Sequence, residues 1–271
     1  MDVTLYEKIR LYKDAVLALR NKELRNMQKV EEDYETGIYK KYVDAEMWSG
    51  EYTSFGLIDP DRLNANKLRY YRSNEKIQKD SYKKILELGD IEFTEVFKRF
   101  IDKDDEIVEL GCGYGKNLFE LRMNGFKNIM TGYDISKNAI ITAKKINEKS
   151  NFDIDFDVMN MVDVSKYDLK NKTIFTVGAL EQTKYQLEEI LKKLIDAKAK
   201  QIIHIECIPQ LLPKNIFGLC VAINRRRKDY QTELLNILEK YPNKISITHL
   251  EKMKTCFSVF NPIMMVRYQM K

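Results

Sequence analysis

The sequence is poor in the residues that build metal sites and disulfide frameworks. Its four cysteines, Cys112, Cys207, Cys220 and Cys256, lie far apart with no CxxC pair, so they read as free thiols rather than as ligands or bridges. No tight cluster of histidine and aspartate is present either, and no metal is expected. No apolar run approaches the length of a membrane span. The N-terminal MDVTLYEKIR mixes charge with apolar residues from its start, unlike a signal peptide, which makes the cytoplasm the expected location. The 46 basic residues barely exceed the 41 acidic ones, a surplus too small to mark a nucleic-acid partner. One dense run, Arg225-Arg226-Arg227-Lys228, reads as a solvated helix face. Internal repeats and low-complexity stretches are absent.

What is present is a chain of 271 residues, 44% hydrophobic, long enough to bury a full core. Its texture divides near residue 100. Leu5, Ile9, Tyr12, Val16 and Leu19 recur at helical spacing and predict a helix over residues 4–45, with Gly37 as a point of interruption and an apolar stripe that must pack on something. A loop through Trp48 to Asp61 follows, then helices at 62–72, 73–88 and 93–100. Residues 1–100 are thus expected to form a helical cap or lid, whose first helix could also join two copies as a homodimer. Within the loop, Trp48, Tyr52 and Phe55 either face the acceptor or anchor the cap.

From residue 101 to 271, short apolar runs alternate with amphipathic helices, the pattern of a parallel sheet with crossover helices. Strands are expected at 106–110, 128–133, 153–159, 173–178 and 200–206, with helices at 115–124, 137–149 and 184–197. A helical insertion at 211–227 and a helix at 228–240 precede strands at 243–250 and 257–268. The six residues Glu251 to Cys256 are too few for a crossover, so these last strands should pair as an antiparallel hairpin.

The segment Glu109-Leu110-Gly111-Cys112-Gly113-Tyr114-Gly115 leads a buried strand into a glycine loop and directly into a helix. Glycine permits the tight turn and lets a ligand approach the backbone, and amides at the helix start offer donors to an anionic group. The next strand ends in Asp134, 19 positions beyond Gly115, where a carboxylate can accept the hydroxyls of a ribose. Alternating GxGxG glycines argue against the GxGxxG pattern of dinucleotide enzymes. On these residues the chain resembles the class I S-adenosylmethionine-dependent methyltransferases. That resemblance implies a Rossmann-like α/β sheet, mostly parallel with a C-terminal antiparallel hairpin. It also implies S-adenosylmethionine as cofactor and S-adenosylhomocysteine as product. The implied cofactor residues are Glu109, Gly111, Cys112, Gly113, Gly115, Asp134 and Ile135, with Asn160 for the adenine amine, Met161 for its ring, and Gly178. A slip of a few residues would move the amine partner to Asp163, and Met161 reads equally well as core packing.

The fourth and fifth strands end in Gly178-Ala179-Leu180-Glu181-Gln182 and His204-Ile205-Glu206, where open α/β sheets place their active-site crevice. Glu181, His204 and Glu206 are the candidate catalytic bases; capping or ion pairing for the glutamates, and hydrogen-bonded core packing for the histidine, are the alternatives. The Asp/Asn-Pro-Pro-aromatic signature of base amino methyltransferases and the Pro-Cys of base C5 enzymes are both missing. The two strand ends are similar to those of bacterial sugar O-methyltransferases, which implies a small polar acceptor, foremost a sugar hydroxyl. A small-molecule amine ranks second, and RNA or protein third.

Overall fold

A computed structural model describes residues 2–18, 27–49 and 66–271. Its centre is a seven-stranded sheet. The strands are β3 (Ile107–Leu110), β4 (Met130–Asp134), β5 (Asp155–Val158), β6 (Thr173–Val177), β7 (Gln201–Glu206), β8 (Ile245–Lys252) and β10 (Met264–Met270), in the spatial order β5-β4-β3-β6-β7-β10-β8. The first five run parallel, and β10 lies antiparallel between β7 and β8. Strand alternation sends neighbouring side chains to opposite faces. Ile174 and Ile202 join Ile190, Leu191 and Leu194 on one side; Phe175 and Ile203 join Phe97, Phe119 and Ile140 on the other. Both faces are covered, so β3 and β7 are buried at every position, including Glu109 on β3 and Gln201, His204 and Glu206 on β7. The helices α5 (Lys116–Met123), α6 (Lys137–Ser150) and α7 (Leu187–Asp196) make the crossovers. In α7, Leu187, Ile190, Leu191, Leu194 and Ile195 are buried, the three-and-four spacing of a single helical face.

The N-terminal region departs from the expected all-helical cap. Residues 68–81 form an antiparallel hairpin, β1 (Leu68–Ser73) and β2 (Lys76–Ser81), in place of helices at 62–72 and 73–88. Asn74 and Glu75, both at positive φ, are the central pair of the two-residue loop that such a hairpin favours. Ser81 then caps α4 (Tyr82–Phe100) by accepting from Lys84 N, and α4 sends Phe93, Val96 and Phe97 into the main core. Residues before 101 therefore also contribute to the core. The single helix expected over 4–45 is, among described residues, α1 (Leu5–Leu17), α2 (Met27–Glu32), a π-helical turn at Asp33–Tyr39 containing Gly37, and α3 (Lys40–Asp44). The stripe of α1 does not pack as a unit. Leu11 and Tyr12 turn inward against Val3, Ile77 and Val259, while Leu5 and Ile9 stay exposed at 73% and 58%. Leu19, Tyr52 and Phe55 lie outside the described residues; Trp48 packs against the main core.

The C-terminal half departs in three places. The helical insertion is α8 (Ile216–Arg227), and its basic run is not uniformly solvated, because Arg225 is fully buried. Helix 228–240 shrinks to α9 (Leu234–Leu238). The last strands are separated by residues 253–263 rather than 251–256, since β9 (Thr255–Cys256) leaves the sheet to pair with β1. Phe257 then lies against Gly89 of α4, where a side chain larger than hydrogen would collide with its ring. Among the described residues no helix is long and apolar enough to cross a membrane.

Candidate active site

The strand order reverses at β3: the chain moves outward through β4 and β5, then returns to β6 on the other flank. Open α/β sheets hold their ligands at such a switch point, outside the carboxyl ends of the strands. A cavity of about 190 Å³ lies there, lined by Gly111 after β3, Asp134 and Ile135 at the end of β4, Met159 to Met161 after β5, and Val177 to Ala179 at the end of β6.

Six of the ten residues expected at the cofactor line this cavity: Gly111, Asp134, Ile135, Asn160, Met161 and Gly178. The other four shape the loop from behind. Gly111, at φ +75, touches the opposite wall so closely that a Cβ would collide with the Ala179 methyl and Met161. Gly115 begins α5 at φ +87 against the Phe156 ring, and Cys112 is buried, its thiol pKa pushed up by desolvation. Glu109 is fully buried on β3 and accepts from Asn117 Nδ2 at 2.6 Å. Desolvation raises its pKa to about 8, so it is largely protonated at neutral pH.

The loop amides are spent within the fold. Gly111 N and Cys112 N donate to the Tyr133 carbonyl at 2.8 and 2.9 Å, and Gly113 N donates to Asp134 Oδ2 at 2.8 Å. Asp134 Oδ1 takes Ser136 N at 2.9 Å. Each carboxylate oxygen keeps a second acceptor direction, so Asp134 can both hold the loop and receive a hydroxyl. Burial raises its pKa despite these bonds. Asn160 Oδ1 accepts from Val162 N at 3.0 Å, and the oxygen's second acceptor direction is the one that could receive an amino group.

The N-terminal region supplies residues that the sequence reading missed. Val30, Tyr34 and Tyr39 line the same cavity. The Tyr39 hydroxyl sits against Gly113 where a Cβ would be, its pKa raised by burial and by Asp134. Tyr34 accepts a hydrogen bond from Gln182 Nε2. Glu35 anchors the segment: its Oε2 accepts from Ser136 Oγ at 2.5 Å and Asn138 N at 3.1 Å, an acidic cap on the first turn of α6. Only the tyrosine-rich composition of 34–42 hinted at this, since no spacing rule links it to the glycine loop.

None of the three expected bases lines the cavity. His204 is fully buried between Thr176 and Tyr268, with Nδ1 3.0 Å from Thr176 Oγ1 and Nε2 3.2 Å from Tyr268 Oη. Thr176 donates to Glu206 Oε1 at 2.9 Å, so the histidine donates from Nδ1 and accepts at Nε2. Desolvation lowers its pKa to about 3, and it is a neutral core residue. Glu206 is equally buried. Its Oε1 also receives Ala179 N and Leu180 N, both at 3.0 Å, which fixes the loop after β6. Desolvation, assisted by Glu181, raises its pKa to about 7. Glu181 turns away toward Asn261 Nδ2 at 3.2 Å and Arg225 Nη1 at 3.7 Å.

The family model of a methyltransferase domain matches residues 101–238. The chain belongs to that family. The methyltransferase domain uses S-adenosylmethionine as its methyl donor, and the cavity suits it: a glycine wall that any Cβ would fill, an acid after β4 and an amide after β5. No curated protein sequence matches the chain. Solved structures with the same fold include the [4+2]-cyclase SpnF, at 11% identity and TM-score 0.62 over 92% of this chain and 98% of that one. The magnesium protoporphyrin IX methyltransferase ChlM of Synechocystis PCC 6803, with bound S-adenosylhomocysteine, matches at 13% identity and TM-score 0.56 over 90% and 99%. The PH0226 protein of Pyrococcus horikoshii OT3 matches at 15% and 0.52 over 70% and 91%. The methyltransferase is thus fold-related to proteins of dissimilar chemistry, and its acceptor has to be argued from its own residues.

Proposed function

We propose that this methyltransferase transfers the methyl group of S-adenosylmethionine to a hydroxyl of a small, neutral, polar acceptor, foremost a sugar or sugar-like polyol. The observation that carries the reading is the uncharged polar wall beyond the cofactor loops, where Tyr34 and Gln182 are hydrogen-bonded to each other at the cavity. A cationic amine entering such a site would lose its hydration without a carboxylate to meet it, because Asp134, the one acid among the described lining residues, is committed in this reading to the cofactor ribose. Coverage by the 27–44 segment suits a small acceptor better than RNA or a protein.

The cofactor, when bound, supplies an activated methyl on a sulfonium with a neutral leaving group, so alignment carries much of the rate. Gly111, Gly178 and Ala179 would hold it close to the backbone, Asp134 would accept its ribose, and Asn160 and Met161 would meet its adenine. Tyr34, held by Gln182, orients the acceptor hydroxyl. A second reading, transfer to an amine that binds in its neutral form, draws support from the position of Glu181, His204 and Glu206 away from the cavity, since an amine needs no base once neutral.

Turnover on a panel of free sugars, sugar derivatives and primary amines tests both. The reading predicts O-methylated product and, for Tyr34→Phe, a KM for the acceptor raised about 10-fold, the cost of one lost hydrogen bond, with cofactor affinity unchanged. Methylation confined to amines would replace it with the second reading.

A further inference from the structure

A second cavity, about 380 Å³, shares no lining residue with the cofactor cleft. It opens at the seam between the N-terminal region and the C-terminal strands, with Tyr12 of α1 and Arg72 of β1 facing Phe217 of α8, Lys252 at the end of β8, and Lys254. Three cationic residues, Arg72, Lys252 and Lys254, line it. The single carboxylate among its lining residues, Glu75, pairs with Lys252 at 2.7 Å on the exposed rim. Arg72 lies flat, its guanidinium carbon 3.7 Å from the centre of the Phe217 ring, and its Nη2 donates to the Glu75 carbonyl at 2.5 Å. Stacking and this bond fix the guanidinium plane, so little further ordering is needed to bind an anion. Burial also pulls the Arg72 pKa down, the sign of a cation that would gain from a negatively charged neighbour.

We propose that this cavity is a binding site for a phosphate group carried on a ring-shaped or apolar body. Arg72, Lys252 and Lys254 take the phosphate, and Tyr12 and Phe217 take the body. An arginine fork with two lysine point charges matches a dianion better than a monoanion, and Tyr12 with the edge of Phe217, whose face Arg72 covers, gives the wall an apolar part for the body. Occupancy would tie β1 to α8 and β8, joining the N-terminal region to the core at a place the methyl-transfer reading does not use.

Phenyl phosphate is the probe, titrated calorimetrically into the full chain. The expected result is saturable one-to-one binding, weakened at least tenfold by Arg72→Gln and by the paired exposed substitutions Lys252→Gln and Lys254→Gln. S-adenosylhomocysteine should bind all variants alike and should not displace the probe. The lysine pair keeps the test valid if the half-buried arginine variant folds poorly. Absence of saturation, equal binding by the lysine variant, or displacement by S-adenosylhomocysteine would overturn the site; inorganic phosphate binding as tightly as phenyl phosphate would overturn the part played by the aromatic wall.

Discussion

Glu206 shows how a buried carboxyl at a strand end acts through the backbone. One oxygen holds the Ala179 and Leu180 amides and the Thr176 hydroxyl, and so sets the loop that faces Gly111. Its folded pKa of about 7 lies above the ordinary 4.5, so the native state binds the proton more tightly than the unfolded chain. The stability this confers is full below the unfolded pKa and is lost as pH rises toward 7, by roughly 3 kcal/mol over the interval. Glutamine keeps an acceptor oxygen and cannot ionise. In urea titrations, the stability of Glu206→Gln relative to wild type should therefore rise by that order between pH 4.5 and pH 7.5, with turnover within about threefold of normal. A 100-fold loss of turnover, the typical contribution of a general base, with no pH-dependent difference in stability, would restore Glu206 as the catalytic group. The motif was legible at this scale because glycine and the acid after the next strand have few other uses in that order. The environments of His204 and Glu206 were not, because burial on both sheet faces and the Thr176 link join residues 28 and 30 positions apart.

Among the elements, the parallel strands were readable because apolar runs buried on both faces have few alternatives. The hairpin at 68–81 was not. Its turn is Asn-Glu rather than the Asn-Gly that signals a two-residue loop, and its Arg, Lys and Tyr content leaves only Tyr71 and Ile77 buried. Likewise β9 escapes pattern reading, since two residues carry no period. The segment from α2 to α3 lines the cavity proposed for the cofactor, and Glu35 ties it to the first turn of α6. Glu35→Ala should cost about 1 kcal/mol, as loss of a helix cap does. It should also raise the Kd for S-adenosylhomocysteine about fivefold or more, because the covering state becomes less populated. Titration calorimetry on the variant checks this, and a lowered melting temperature with unchanged affinity would show that the segment plays no part in cofactor binding.

In the whole molecule, the sheet order places the crevice between β3 and β6, and Val30, Tyr34 and Tyr39 of the N-terminal region line it, so its loops and its cover come from stretches more than 70 residues apart. Sequence patterning reached the loops and expected an N-terminal cap without naming the residues that line the cavity, because the contacts of Tyr34, Glu35 and Tyr39 span more than 70 residues and carry no local signature. The central claim is that this crevice holds S-adenosylmethionine through the glycine loop and Asp134. Calorimetric titration of the full chain with S-adenosylmethionine and with NAD, repeated on Asp134→Ala, tests it most directly. The account predicts one saturable site for S-adenosylmethionine, weakened by about 1 to 3 kcal/mol in the variant, the cost of stranding polar partners. Binding of NAD with none of S-adenosylmethionine, or an unaltered affinity in Asp134→Ala, would contradict it.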